Sequence, residues 1–102
     1  MDMRDDWLVG LREWAQQNGN VRELWLFGSR AKGTSRPESD IDIAVALMPT
    51  DSAFGNYVAL SEKWKQEIEA IVGRSISFGA IGPHTSLDAE VRETGVQLWA
   101  RH

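Results

Sequence analysis

The chain has 102 residues, of which 42% are hydrophobic and 25% charged, and it carries a formal net charge of -4. That length suits one hydrophobic core, hence a single domain over residues 1–102, and its acidic balance argues against strong non-specific nucleic-acid binding. With no cysteine, disulfides, thiolate chemistry and cysteine-based zinc sites are excluded.

The opening Met1-Asp2-Met3-Arg4-Asp5-Asp6 is too polar and acidic for a signal peptide. No apolar run approaches the roughly 20 residues of a membrane helix. A cytoplasmic home is therefore expected. From about Met3 to Gln17, the 3-to-4 spacing of Trp7, Leu8, Leu11, Trp14 and Ala15 predicts an amphipathic helix closed by Asn18-Gly19. Val21 to Phe27 reads as a buried strand ending on Gly28. Gly28 to Ser39, with two glycines and a proline, predicts a loop with one helical turn at Ser29 to Lys32. Its stretch Ser35-Arg36-Pro37-Glu38-Ser39 is expected to be a mobile tip.

Asp40 to Leu47 alternates, with Ile41, Ile43, Val45 and Leu47 on one side and Asp40, Asp42, Ala44 and Ala46 on the other. Met48 to Phe54, with Pro49, predicts a turn. A long helix over Gly55 to Val72 would present Tyr57, Leu60, Trp64, Ile68 and Ile71 on one face, with Gly73 as its C-cap. Ser75 to Ile81 predicts a strand. Thr85 to Thr94 predicts a helix capped by Thr85 or Ser86, with Leu87 and Val91 inward. Val96 to Ala100 is a short apolar tail of undefined form. His84, just before a helix start, suits a capping or exposed role, and His102 ends the chain. Five tryptophans suit mainly core packing, with one or two free to anchor a partner. Alternating helices and strands predict an α/β class: one small mixed sheet with flanking helices.

Chemistry concentrates in two adjacent segments. Asp40 and Asp42, two apart on a strand, project from one face at a backbone separation of roughly 6 to 7 Å. Two carboxylates held together call for a cation. Hard oxygen donors suit magnesium or manganese, with water and phosphates completing the shell. Gly28 lets the backbone approach an anion closely. A helical turn beginning near Ser29 would aim free amides at phosphates, and the Ser29 hydroxyl could donate as well. Arg30, Lys32 and Arg36 supply positive charge nearby. Read singly, each piece is commonplace: a surface acid pair, a turn, exposed basic residues. Their conjunction is specific.

Phe27-Gly28-Ser29-Arg30-Ala31-Lys32-Gly33, followed by Ser39-Asp40-Ile41-Asp42-Ile43, resembles the signature of polymerase-beta-type nucleotidyltransferases, and most of all their small stand-alone members, the minimal nucleotidyltransferases. The strong likeness spans about Leu24 to Val45, with a weaker echo in Glu90 to Trp99. The resemblance implies that Gly28 and Ser29 bind a nucleoside triphosphate such as ATP, where the charges of Arg30 and Lys32 are expected to assist, and that Asp40 and Asp42 are catalytic and ligate magnesium. It implies transfer of a nucleoside monophosphate, AMP for ATP, to an acceptor hydroxyl. Such proteins are commonly paired with a small all-helical partner of the HEPN type in toxin–antitoxin systems, and the resemblance implies an acceptor hydroxyl on that partner. An oligomer is compatible with the resemblance.

One departure matters. The family usually places a third carboxylate on the strand after the long helix, and here Ser77 occupies that position. Three readings follow: the register is off by a residue; another acid, such as Glu62 or Asp51, substitutes; or the chain is an NTP-binding antitoxin module that transfers slowly or not at all.

Overall fold

The structure is a computed structural model describing residues 1–82 and 86–101. Along these the chain runs α1 (Asp5–Gln17), β1 (Val21–Phe27), α2 (Gly28–Lys32), β2 (Ile41–Leu47), α3 (Asp51–Val72), β3 (Ile76–Ile81), α4 (Ser86–Thr94) and β4 (Val96–Ala100). The strands form one mixed sheet in the order β3-β2-β1-β4. β1 is antiparallel to β2 and to β4, whereas β2 and β3 are parallel, with α3 as the crossover between them. A parallel pair needs such a long connection, and the 22-residue α3 supplies it.

Period-two alternation sorts the side chains onto two unequal faces. Leu24 and Leu26 of β1, Ile41, Ile43 and Val45 of β2, Ile76 of β3 and Leu98 of β4 pack with Leu8 and Leu11 of α1 and Ile68 and Val72 of α3. α1 and α3 cross closely at Gly10, where an added Cβ would stand 2.6 Å from Ile71 Cγ2. The second face is thinner. Ala44 and Ala46 of β2 and Ile81 of β3 meet Val91 of α4, flanked by Trp25, Phe27 and Leu87. Small residues let α4 lie close: a Cβ on Gly79 would sit 3.1 Å from Leu87 Cδ2. Beyond α4, toward the start of β2, Asp40 and Ser77 are exposed and Asp42 is half-buried.

Several expectations shift. The apolar tail is a strand, since Leu26↔Val96 and Trp25↔Gln97 pair across the free side of β1. α3 starts at Asp51 because Thr50 caps it: its Oγ1 accepts from the Ala53 N–H at 3.1 Å. Its buried residues are Ala53, Trp64, Ile68 and Val72, while Tyr57 and Ile71 are half-buried and Leu60 is 37% exposed. No tryptophan is among the exposed large apolar side chains; Phe54 and Val58 of α3 are. Ser35 to Ser39 is tied down by hydrogen bonds described below. The expected cap at Thr85 and the roles of His84 and His102 lie outside the described residues. Among the described residues, no helix is long and apolar enough to cross a membrane.

Candidate functional site

β1 and β2 deliver the glycine turn and the acids to one place. Their register pairs Phe27 with Asp42, so Gly28, the next residue of β1, lies at the Asp42 side chain. The contact is close enough that a Cβ on Gly28 would collide with Asp42 Oδ2. Gly28 also has φ +73, a left-handed conformation that side chains disfavour. Both facts demand glycine here. The five-residue α2 begins at once and ends on Gly33, also left-handed at φ 74, with the Thr34 N–H donating to the Ser29 carbonyl at 3.0 Å.

Asp42 sits half-buried on the central β2, and Asp40 is exposed immediately before that strand. Strand alternation puts Asp42 on the thin face with Ala44 and Ala46, and Asp40, one residue outside the strand, is near enough for its charge to act on Asp42. Burial holds the Asp42 carboxyl above its usual range; a polar contact from Ser77 pulls it back, and the charges of Asp40 and Glu90 push it further up. Among the described residues, neither Asp40 nor Asp42 has a basic partner. A carboxyl raised by burial and like charge is relieved either by a proton or by a nearby cation.

A divalent cation fits this donor set. Among the described residues, no three acids or histidines gather closely enough to hold a metal by themselves. Two carboxylates with open space suit magnesium, which retains waters and takes phosphate oxygens rather than a complete protein cage.

The basic residues divide. Lys32 and Arg36 are exposed. Arg30, expected to reach phosphate, is instead only 7% exposed and is occupied by backbone carbonyls. Its Nε and Nη2 donate to the Ser39 carbonyl at 3.3 and 3.1 Å, Nη2 also to Pro37 at 3.3 Å, and Nη1 to Asp2 at 3.2 Å. It also lies 5.6 Å from the Trp7 ring centre. A planar fork of donors can bridge several carbonyls at once, and here it ties the glycine turn to the segment leading into Asp40. Arg74 donates to the Pro37 carbonyl at 2.9 Å, and the Arg36 N–H donates to Ser39 Oγ at 2.8 Å. Ser35 donates to the Asp2 carboxylate through both its N–H and its hydroxyl. These bonds, absent from any local sequence signal, are why the expected mobile tip is anchored. Trp7, Arg4, Arg30 and Arg74 line a cavity of about 400 Å³ behind this loop, separate from the acids.

The parallel register pairs Asp42 with Ser77. Ser77 therefore stands beside Asp42 on the neighbouring strand, exposed at the open end of the thin face. Glu62 and Asp51, the suggested substitutes, lie on exposed turns of α3. The sequence reading missed Glu90, whose charge reaches Asp42 from α4; only the inward spacing of Leu87 and Val91 hinted at where it would lie.

A strand, a left-handed glycine turn, a helical turn and an acid pair on the neighbouring strand define a nucleotide-handling α/β domain. The family described as Polymerase beta, Nucleotidyltransferase matches residues 10–102, and the chain belongs to it. No curated protein sequence matches significantly. Among solved structures, a chain of a toxin–antitoxin complex with AMP-PNP is 22% identical, with a TM-score of 0.69 over 93% of this chain and 74% of that one. A chain of the tri-AMPylated Shewanella oneidensis HEPN toxin in complex with MNT antitoxin is 17% identical, with a TM-score of 0.66 over 97% and 74%. A chain of the MntA–HepT toxin–antitoxin is 18% identical, with a TM-score of 0.64 over 96% and 74%. At these identities the likeness is one of fold.

Proposed function

We propose that this chain transfers AMP from ATP to a hydroxyl on a helical partner protein of the HEPN type, acting as the antitoxin of a cytoplasmic pair. The observation that carries the reading is the contact of Gly28 with the Asp42 carboxylate, which joins a phosphate turn to a cation-seeking acid. The similar structures support the partner: one contains AMP-PNP and another an AMPylated HEPN toxin.

In this reading the Gly28 and Ser29 backbone lies along the triphosphate, and the Ser29 hydroxyl donates to it. Lys32 adds a mobile positive charge. Arg30 does not bind phosphate; it holds the turn and the Ser39-Asp40 approach in register. Asp40 and Asp42 orient the ion, magnesium or manganese. That ion, when bound, neutralises charge developing on the phosphates. The open face beyond α4 admits the acceptor.

Ser77 favours a second reading, in which the chain binds nucleotide and partner but transfers nothing. Incubation with labelled ATP, magnesium and the partner separates the two. Label that appears on the partner and is lost in Asp42→Asn establishes transfer at this site. Label unchanged in that variant refutes the site, and bound nucleotide without label supports the second reading.

A further inference from the structure

With Ser77 beside Asp42, β3 offers no carboxylate to take the proton of an attacking hydroxyl. α4 brings one from the other side. Its two ends are fixed over the sheet: Leu87 lies against Gly79 of β3, and Gly95, just past its end, comes so near Leu26 of β1 that a Cβ there would stand 3.1 Å from the Leu26 carbonyl oxygen. The helix thus crosses β2 with Leu87 and Val91 facing down onto Ala44 and Ala46.

Its flanks are then assigned by contact. Arg92 pairs with Asp88 at 3.0 Å and with Glu23 at 3.6 Å, and lies 5.8 Å from the Trp25 ring centre. Glu23 and Trp25 lie back along β1, away from Gly28, so the Asp88–Arg92 flank faces away from the acids. On a helix of 3.6 residues per turn, Glu90 falls on the opposite flank. That flank faces Asp42, consistent with the charge Asp42 feels from Glu90. Glu90 is exposed, and among the described residues its carboxylate has no hydrogen bond or ion pair.

We propose that Glu90 accepts the proton of the acceptor hydroxyl, an assignment that rests on the nucleotidyltransferase reading above. The acceptor oxygen attacks the α-phosphorus and an O–P bond forms. The bond from that phosphorus to the bridging oxygen breaks, and its electron pair leaves with pyrophosphate. The hydroxyl proton passes to the Glu90 carboxylate. Reaching in from α4 rather than from the metal-facing strands, Glu90 can serve a bulky protein acceptor arriving over the open face.

The test compares Glu90→Gln with Glu93→Gln, an exposed acid on the outer side of the same helix. Two quantities are read: the single-turnover rate of labelled AMP transfer to the partner, and the Kd for AMP-PNP with magnesium. The expected result is a fall of about 10²-fold or more in rate for Glu90→Gln, the usual contribution of a positioned base, with its Kd unchanged and Glu93→Gln like the original chain. Glu90→Gln transferring at the original rate, or losing nucleotide affinity in step with rate, overturns the assignment alone. An original chain that binds AMP-PNP yet never labels its partner overturns the proposed function, and the role of Glu90 with it.

Discussion

Gly28→Ala separates what the glycine does for folding from what it does for the site. Three glycines of this chain are left-handed: Gly28, Gly33 and Gly73, at φ 73, 74 and 72. An alanine in that region costs about 1–2 kcal/mol. For a domain of this size, each kcal/mol lowers the melting temperature by about 4–8 °C, so each of the three substitutions is expected to cost about 4–16 °C. Around Gly33 and Gly73 an added Cβ meets nothing within 4 Å, whereas at Gly28 it meets Asp42 Oδ2 and, at 3.0 Å, Asp42 Cγ. The carboxylate is the far end of a side chain and can swing aside, so folding tolerates the collision. The site does not, because a displacement of about 1 Å in a reacting assembly costs on the order of 10²-fold in rate. The expected pattern is three similar losses in thermal melts, with AMP transfer and magnesium-dependent AMP-PNP binding collapsing only in Gly28→Ala. A folded Gly28→Ala that transfers like Gly73→Ala would refute the claim that the turn and Asp42 form one site.

Arg30→Lys should lower stability by about 2–3 kcal/mol in urea melts, because a lysine cannot bridge carbonyls that a buried guanidinium serves together; a loss below about 0.5 kcal/mol would show the bridge to be idle. Asp42→Asn should raise the melting temperature at pH 7 without metal. The folded state raises the Asp42 pKa above 3.8, so ionisation opposes folding above the folded value and that penalty vanishes as pH falls toward 3.8. The gain should therefore fade in acid, and a gain that grew there would reverse the sign. Gly10→Ala should destabilise despite its better helix propensity, since the new methyl overlaps Ile71; in Gly10→Ala/Ile71→Ala the overlap is gone and a double-mutant cycle should return a favourable coupling.

What the sequence made legible was local. The alternation of Ile41, Ile43 and Val45 fixes which side Asp42 takes, and the spacing of Trp7, Leu8 and Leu11 fixes α1. What escaped depended on distant partners. Val96 to Ala100 becomes a strand only because β1 offers a free side, and five residues carry too little pattern to announce it. Arg30 reads as a loop cation until the Pro37, Ser39 and Asp2 carbonyls fold around it. The inward face of α3 is legible in Trp64 and Ile68, with Tyr57 and Ile71 half-buried, and Leu60 alone of the expected five is exposed. Twenty-two helical residues span about 33 Å, whereas a seven-residue strand spans about 23 Å. The helix outruns the strands, and Phe54, Val58 and Leu60 on it stay exposed.

The unequal faces explain why the site lies where it does. The large side chains that stabilise the sheet are assigned to α1 and α3, which leaves the other face free to be built from Ala44, Ala46 and Gly79. Small residues contribute little burial energy, but they let a single helix lie flat and leave the start of β2 open. Asp42 stands at that boundary, on a central strand flanked by β1 and β3, and so loses part of its water without gaining a basic partner. That is costly for an empty domain; under the proposed function, a cation and a polyphosphate bound there would relieve the desolvated charge, and affinity would be drawn from an interaction the folded chain leaves unsatisfied. The same boundary puts Glu90 over an open approach rather than inside a closed pocket, an arrangement suited to an acceptor hydroxyl carried on another protein.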